Sequence, residues 1–463
     1  MRGGDGNLKG AGGRVLIIPG TDPRNRGDEA LALHSAHLAT RAGFSTVAVT
    51  MRTGSGLAGF AKAEPFLRSP RPPRALEDHG FRDSWRNSLR LAASGLRELV
   101  AMAWLVVTSP RPRLCLAALG PKRARAVKAL LEADAVLVKG GGFIHAYGGP
   151  RWLYYLLYQL FPAILALRLE KPVGVLPNSF GPFCGRAAQR LVRWVLRRCA
   201  IVTAREHISA RTAEELIGRS VPVYPDLAFA LRPAPADWAR AELRAHGVQC
   251  EADSCIGFTV RPWRFPGRRH DAERLFRRYL DSVEHLVCVV REMGFSPVLF
   301  AHCLGNSRHE DDRVAIAILS SRLHQNGIRA PSLASDAWTA EQLAALYGEM
   351  HVLVATRFHS AIFAAVSGVP SLVIAYGGNK GLGIMQDMGL PEYVVPIEEI
   401  SPVSAEATLR LLLANRESAR ARLKSYVDRF PGQADALVTE VRRSFAYLGD
   451  TVVSNGRGDA LTR

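Results

Sequence analysis

The sequence predicts an α/β protein built as two Rossmann-like halves, each a parallel sheet wrapped by helices, facing one another across a cleft. Three observations predict this. Short β-rich apolar runs alternate with helical patterns, as parallel βα units require. The alternation stops at a Pro-bearing break, Arg232–Ala236, and then starts again. The chain has 463 residues, more than one ordinary domain holds.

In the first series the expected strands are Val15–Pro19, Val47–Thr50, Ala135–Val138, Val173–Leu176 and Ile201–Thr203. Helical spacing covers Glu29–Arg41, Trp152–Leu169, Arg186–Arg198 and Ser209–Leu216. The second series has strands at Ile256–Val260, Pro297–Phe300, Leu353–Ala355 and Leu372–Ala375. Its helices are Leu275–Met293, Asp311–Gln325, Ala340–Tyr347 and Ser360–Ser367. The expected division is 14–232 for the first half, with an insertion at about 51–125 opening near the Pro/Arg stretch Ser69–Arg74. The second half covers 253–400, C-terminal helices 401–448, and a frayed tail 449–463.

Composition narrows the function classes. Lys+Arg 60 against Asp+Glu 42 leaves a formal charge of +18. Only eight of those cations are Lys, so part of the excess is an arginine bias. No nucleic-acid-binding motif accompanies the charge, and a nucleic-acid partner is not expected. The seven cysteines, Cys115, Cys184, Cys199, Cys250, Cys255, Cys288 and Cys303, are widely spaced without a CxxC. Neither a disulfide framework nor a zinc site is indicated, and reduced thiols in a cytoplasmic protein are the expectation. The run Trp152–Leu167 is uncharged but short for a span and contains Pro162, so a buried helix is expected. Leu91–Val107 is apolar apart from Arg97 and Glu98, with Arg86 and Arg90 before it and Arg111, Arg113, Lys122, Arg123 and Arg125 after. Two readings stand for it: an amphipathic insertion facing the core, or a segment lying on an anionic membrane surface.

Chemistry gathers at the expected strand ends, where open α/β sheets bind ligands. After the first strand, Asp28 reads as a helix N-cap or a ligand-binding group. Lys139-Gly140-Gly141-Gly142 lets backbone approach a ligand at Gly141 and Gly142. Asn178 and Ser179 are expected at the cleft mouth. Arg205, beside Glu206, suits a carboxylate or phosphate. The densest stretch is Thr356-Arg357-Phe358-His359-Ser360. Two residues apart on extended chain, Arg357 and His359 would share a side. Ser360 would cap a helix whose N-terminus favours an anion. Lys380 follows in the Gly377–Gly381 loop. An Arg, a His, a helix N-terminus and a Lys on one sheet edge suit a phosphorylated, carboxylated substrate. His309-Glu310-Asp311-Asp312 looks like a metal cluster, but successive helical residues do not converge, and an exposed helix start is expected.

In this order the motifs NRGDEA, GGG, SFGPF, ARE, YPDLAF and RFHSAIFAAVSGVP resemble the polysaccharide pyruvyl transferase family, from about Val15 to Leu390. Asn178 stands where that family often has Gln, and the 51–125 insertion exceeds its minimal pattern. The resemblance implies a GT-B-like fold without metal or cofactor. It implies transfer of pyruvyl from phosphoenolpyruvate to sugar hydroxyls of a cell-surface glycan or a lipid-linked saccharide, giving a pyruvate ketal. His359 would be the acid-base group. Arg357 would hold phosphate or carboxylate and steady the departing charge. Arg205 would be a second anion clamp. Asp28 and Asn178 would meet acceptor hydroxyls. The enzyme is expected in the cytoplasm, with peripheral contact to the inner face of an anionic plasma membrane. The alternative on the same architecture is a nucleotide-sugar glycosyltransferase.

Overall fold

The computed structural model describes residues 12–54, 56–67, 85–109, 111, 119–248, 254–268, 270–305, 310–378 and 380–446. The stretch 69–74, His309 and the tail 449–463 lie outside them.

Two parallel sheets carry the architecture. The first comprises β1 (Arg14–Thr21), β2 (Thr46–Met51), β3 (Ala61–Ala63), β4 (Ala135–Val138), β5 (Gly141–Ala146), β6 (Val173–Phe183) and β7 (Ile201–Ala204). Its order is β3-β2-β1-β4-β6, with β5 and β7 both on β6. Asn178 pairs with Gly141 on one side and Ala204 on the other, so β5 prolongs the line of β4 after a break at Lys139-Gly140. The second sheet comprises β8 (Cys255–Thr259), β9 (Ser296–Phe300), β10 (Ser332–Leu333), β11 (Val352–Ala355), β12 (Ser371–Ala375) and β13 (Val394–Pro396), in the order β10-β9-β8-β11-β12-β13. With β5 taken as an extension of β4, each sheet repeats the doubly wound order 3-2-1-4-5-6. The direction of winding reverses between β1 and β4, and again between β8 and β11. Helices cover both faces, so the central strands are buried throughout: Val15–Ile18 and Val352–Ala355 are at most 1 % exposed.

The expected strands and helices lie within one to four residues of their places, apart from β6, which runs on to Phe183. Four strands were not foreseen: the short edges β3, β10 and β13, and β5, hidden in a glycine run that reads as a loop. Helix Arg26–Arg41 is capped by Asn25, whose side chain accepts from the Asp28 amide, and not by Asp28. Asp28 lies in the first turn instead. Cys255, buried at the start of β8, is disulfide-bonded, so the expectation of reduced thiols fails there. Wide spacing argues against a framework of several bridges and is silent on one.

The halves are joined closely. Leu304 donates its amide to the Arg24 carbonyl at 2.9 Å, and Arg26 reaches the Asp336 carbonyl at 2.7 Å. His207 meets Asp387 at 2.9 Å. The C-terminal helices are Pro402–Ala414, Arg416–Asp428 and Phe430–Ser444. The last returns to the first half: Phe445 lies edge-on to Phe44, and Arg442 donates to the Arg41 carbonyl. Helix Gly149–Arg168 holds Pro162 and is buried along one side. Among the described residues, no helix is long and apolar enough to cross a membrane.

Candidate active site

The carboxyl ends of the two sheets converge on His359. The helix after β11 starts at Phe358, with Arg357 at its N-cap. His359 is therefore a first-turn residue, and the extended-chain argument that put it on one side with Arg357 does not apply. Its ring lies against Gly27 of the first half. A Cβ on Gly27 would stand 2.3 Å from His359 Nδ1, so only glycine permits this approach. The ring keeps 21 % of its surface open, and Nε2 has no hydrogen-bond partner. The carboxylate oxygen Asp226 Oδ2 is 4.0 Å from that nitrogen. Burial, then the charges of Arg205 and Lys380, push His359 down to about 3, so its imidazole is neutral at neutral pH.

In the first half Lys139 and Arg205 each have a carboxylate. Lys139 Nζ donates to Asp28 Oδ1 at 2.5 Å and to Thr21 Oγ1 at 2.8 Å. Arg205, 1 % exposed, donates through Nη1 to Asp226 Oδ2 at 2.5 Å and through Nε to Ser179 Oγ at 2.7 Å. Its Nη2 edge covers Gly142, where a Cβ would stand 2.6 Å away. Lys380 Cδ lies over the same glycine. A side chain at 142 would therefore displace the contact between the halves. Gly141 begins β5 at φ 155°. Asn178 is not at a cleft mouth. It is fully buried and donates to the carbonyls of Lys139 and Leu176, which fixes the bend between β4 and β5.

The second half pairs one arginine and leaves two cations without a carboxylate. Arg357 Nε donates to Asp312 Oδ1 at 2.8 Å, and Nη2 to the Glu310 carbonyl at 3.0 Å. Burial works against its charge, and Asp312 more than offsets this. Asp312 also accepts from the amides of His302 and Cys303. It is fully buried, so the expectation of an exposed helix start fails at this residue. The cause is tertiary: the strand-end amides and Arg357 need one acceptor. Ser360 is also buried. Its hydroxyl donates to the Arg357 carbonyl and lies 2.8 Å from Thr259 Oγ1, so it braces the turn instead of capping the helix. Arg261, just past β8, stacks over Tyr376 at 4.1 Å and Trp263 at 4.6 Å, and its Nε has no partner. Lys380 Nζ stands 4.6 Å from the Tyr376 ring centre. Burial alone would raise the Tyr376 phenol. The charges of Arg261, Lys380 and Arg357 more than offset it and hold the group down to about 7.

The cleft is thus a buried, cation-rich crevice at the crossover points of two doubly wound sheets, and among the described residues Arg261 and Lys380 have no carboxylate partner there. Among the described residues no cluster of His, Cys, Asp or Glu could hold a metal ion.

The family model for "Polysaccharide pyruvyl transferase" matches residues 25–378, from the first helix of the first half to the loop after β12. The chain belongs to the polysaccharide pyruvyl transferase family. A curated relative, the amylovoran biosynthesis protein AmsJ of Erwinia amylovora, is 26% identical over 318 residues, covering 68% of this chain and 74% of that protein. Solved structures share the fold at low identity. S. aureus MnaA with UDP matches at TM-score 0.56 and 11% identity, over 96% of this chain and 99% of that one. A trehalose 6-phosphate synthase from Burkholderia multivorans matches at TM-score 0.51 and 13% identity, over 94% and 99%. The fold is GT-B-like. Family membership makes this chain a pyruvyl transferase and sets the glycosyltransferase alternative aside.

Of the residues singled out in the sequence, this transferase brings His359, Arg205, Lys380 and Gly142 together. Arg357, Ser360 and Asn178 lie beneath them as supports, and Asp28 is tied to Lys139. Sequence reasoning passed over Asp226, Asp312, Arg261 and Tyr376. Asp226 was legible in YPDLAF. Arg261 and Tyr376 follow β8 and β12, and a strand-end rule applied to every strand would have reached them.

Proposed function

We propose that this pyruvyl transferase takes pyruvyl from phosphoenolpyruvate and attaches it as a ketal to a hydroxyl pair of a surface polysaccharide or its lipid-linked precursor. The enzyme works in the cytoplasm, peripheral to the inner face of the plasma membrane. The observation that carries the reading is the convergence of Arg205, Arg261 and Lys380 on a crevice whose histidine has no partner. Phosphoenolpyruvate brings a carboxylate and a phosphate, and charge-assisted hydrogen bonds to such groups are the strong ones. Arg261 and Lys380, which lack a carboxylate of their own, hold these two anionic groups. Arg205 supplies its Nη2 edge beside Gly142. Arg357, already bound to Asp312, acts through its charge and by placing the helix that bears His359.

The donor also changes His359. Its two anionic groups offset Arg205 and Lys380, the charges that help keep the ring neutral, so its affinity for a proton rises. The first sugar hydroxyl adds its oxygen to C2 of the enol while C3 gains a proton, converting CH2 to CH3. His359 accepts the hydroxyl proton and returns a proton to C3. The second hydroxyl then bonds to C2 as the C2–O bond to phosphate breaks, and its proton leaves with the phosphate. The products are a ketal and inorganic phosphate.

The test uses surface saccharide as acceptor. Phosphate release from phosphoenolpyruvate should match, mole for mole, a new ketal methyl signal in the proton spectrum of the saccharide. Turnover of a nucleotide sugar without phosphoenolpyruvate would overturn the reading.

A further inference from the structure

Helix Trp85–Thr108 is amphipathic in the wrong sense for a protein surface. Its inner side carries Glu98, Met102 and Leu105, all at most 4 % exposed. Glu98 is paired there with Arg123 at 2.6 Å. Its outer side carries Leu89 at 61 %, Leu96 at 64 %, Val100 at 63 %, Trp104 at 41 % and Val107 at 76 % exposure. At about 100° per residue, Leu89, Leu96, Val100 and Val107 fall within roughly 40° of one another. Six of the ten large apolar side chains that stand exposed among the described residues belong to this one helix. An apolar face of that density on a soluble surface marks a contact.

Charge selects the occupant. Arg90 and Arg97 flank the apolar stripe on the same helix, and Arg111 follows its end. All three are exposed, Arg97 to 63 %. Among the helix residues Glu98 is the sole acid, and it faces inward. A second copy of a chain with formal charge +18 is repelled overall by these arginines. A bilayer rich in anionic headgroups attracts them, and it takes up the apolar side chains between them.

We propose that helix Trp85–Thr108 seats the enzyme on an anionic lipid surface, with Leu96, Val100, Trp104 and Val107 inserted and Arg90, Arg97 and Arg111 at the headgroups. The proposal deepens the functional reading above and rests on it only for its purpose, delivery of a lipid-linked saccharide to the cleft. The helix packs through Gly95 against Tyr154 of helix Gly149–Arg168. Tyr158, one turn on in that helix, lines a cavity with Gly20, Thr50 and Arg52 at the carboxyl end of β2.

The test is co-sedimentation of the full chain with vesicles of phosphatidylcholine, alone or mixed with phosphatidylglycerol. The wild type should pellet with the phosphatidylglycerol vesicles, at least tenfold more than with phosphatidylcholine, and less so in high salt. The triple variant Leu96→Glu, Val100→Glu, Val107→Glu should lose that binding. Val403→Glu with Leu411→Glu, exposed sites on helix Pro402–Ala414, should keep it. Wild-type protein that stays in the supernatant with both vesicles overturns the proposal. So does a triple variant that still pellets, or one that turns a dimer into a monomer. Phosphate release with a soluble saccharide is read in parallel. The triple variant should keep it, and if the wild type lacks it while still binding vesicles, the catalytic reading has failed and the docking surface stands.

Discussion

The two halves have the same strand order and use their cations differently. In the first, Lys139 and Arg205 are each bound to a carboxylate, Asp28 and Asp226. In the second, Arg357 is bound to Asp312, while Arg261 lies over the rings of Tyr376 and Trp263 and Lys380 beside that of Tyr376, with no carboxylate partner among the described residues. A buried charge without a counter-charge is costly, so such groups persist where a ligand completes them. Under the proposed function the difference divides the work: Lys139, Arg205 and Arg357, already paired, hold the crevice in shape, and Arg261 and Lys380 take the donor's charges.

The sharpest way to break the comparison is to unpair the first half. Asp226→Ala strands a buried Arg205 and should cost about 3–5 kcal/mol. Denaturant melting checks it, and a loss under 1 kcal/mol would make that pair dispensable. Gly27→Ala tests the junction next. Its Cβ would press on the His359 ring, and a displacement of about 1 Å is enough to lower kcat on the order of 100-fold, with KM for phosphoenolpyruvate little changed.

How much of this was legible follows from which forces are local. The β-rich runs and helical spacing placed most of both sheets, because buried parallel strands are apolar whatever they pair with. The strand β5 was not legible, since Gly141-Gly142 becomes a strand only through β6. His359, Arg205 and Lys380 stood out because they sit at ends of recognisable elements. Asp312 did not, because its partners lie nine or more residues away in sequence and its own neighbourhood reads as solvated. Arg261 and Tyr376 carry no local signal beyond their place after a strand.

Acidification tests the buried histidines. Burial holds His34 and His145 down to about 4, with His37 and Lys380 as the respective secondary causes, and His359 down to about 3. The unfolded chain takes up protons near pH 6.5 that the fold refuses. Stability is therefore fully present above that pH and is lost as pH falls from about 6.5 toward 4. The slope should be on the order of 1 kcal/mol per pH unit for each group. Melting across that range checks the sign, and a flat profile would contradict it. The smallest effect expected is that of Gly142→Ala. Its Cβ would stand 2.6 Å from Nη2 of Arg205, which Asp226 and Ser179 hold in place, so phosphoenolpyruvate affinity should fall only a few-fold, with a stability loss smaller than that of Asp226→Ala.

The division between paired and unpaired cations is tested most directly by titrating phosphoenolpyruvate calorimetrically into the wild type, Arg261→Ala and Lys380→Ala. Each substitution should weaken binding about 10–100-fold while leaving the melting temperature equal to or above that of the wild type. Unchanged affinity in both variants would contradict the account, and so would a wild type that takes up no phosphoenolpyruvate.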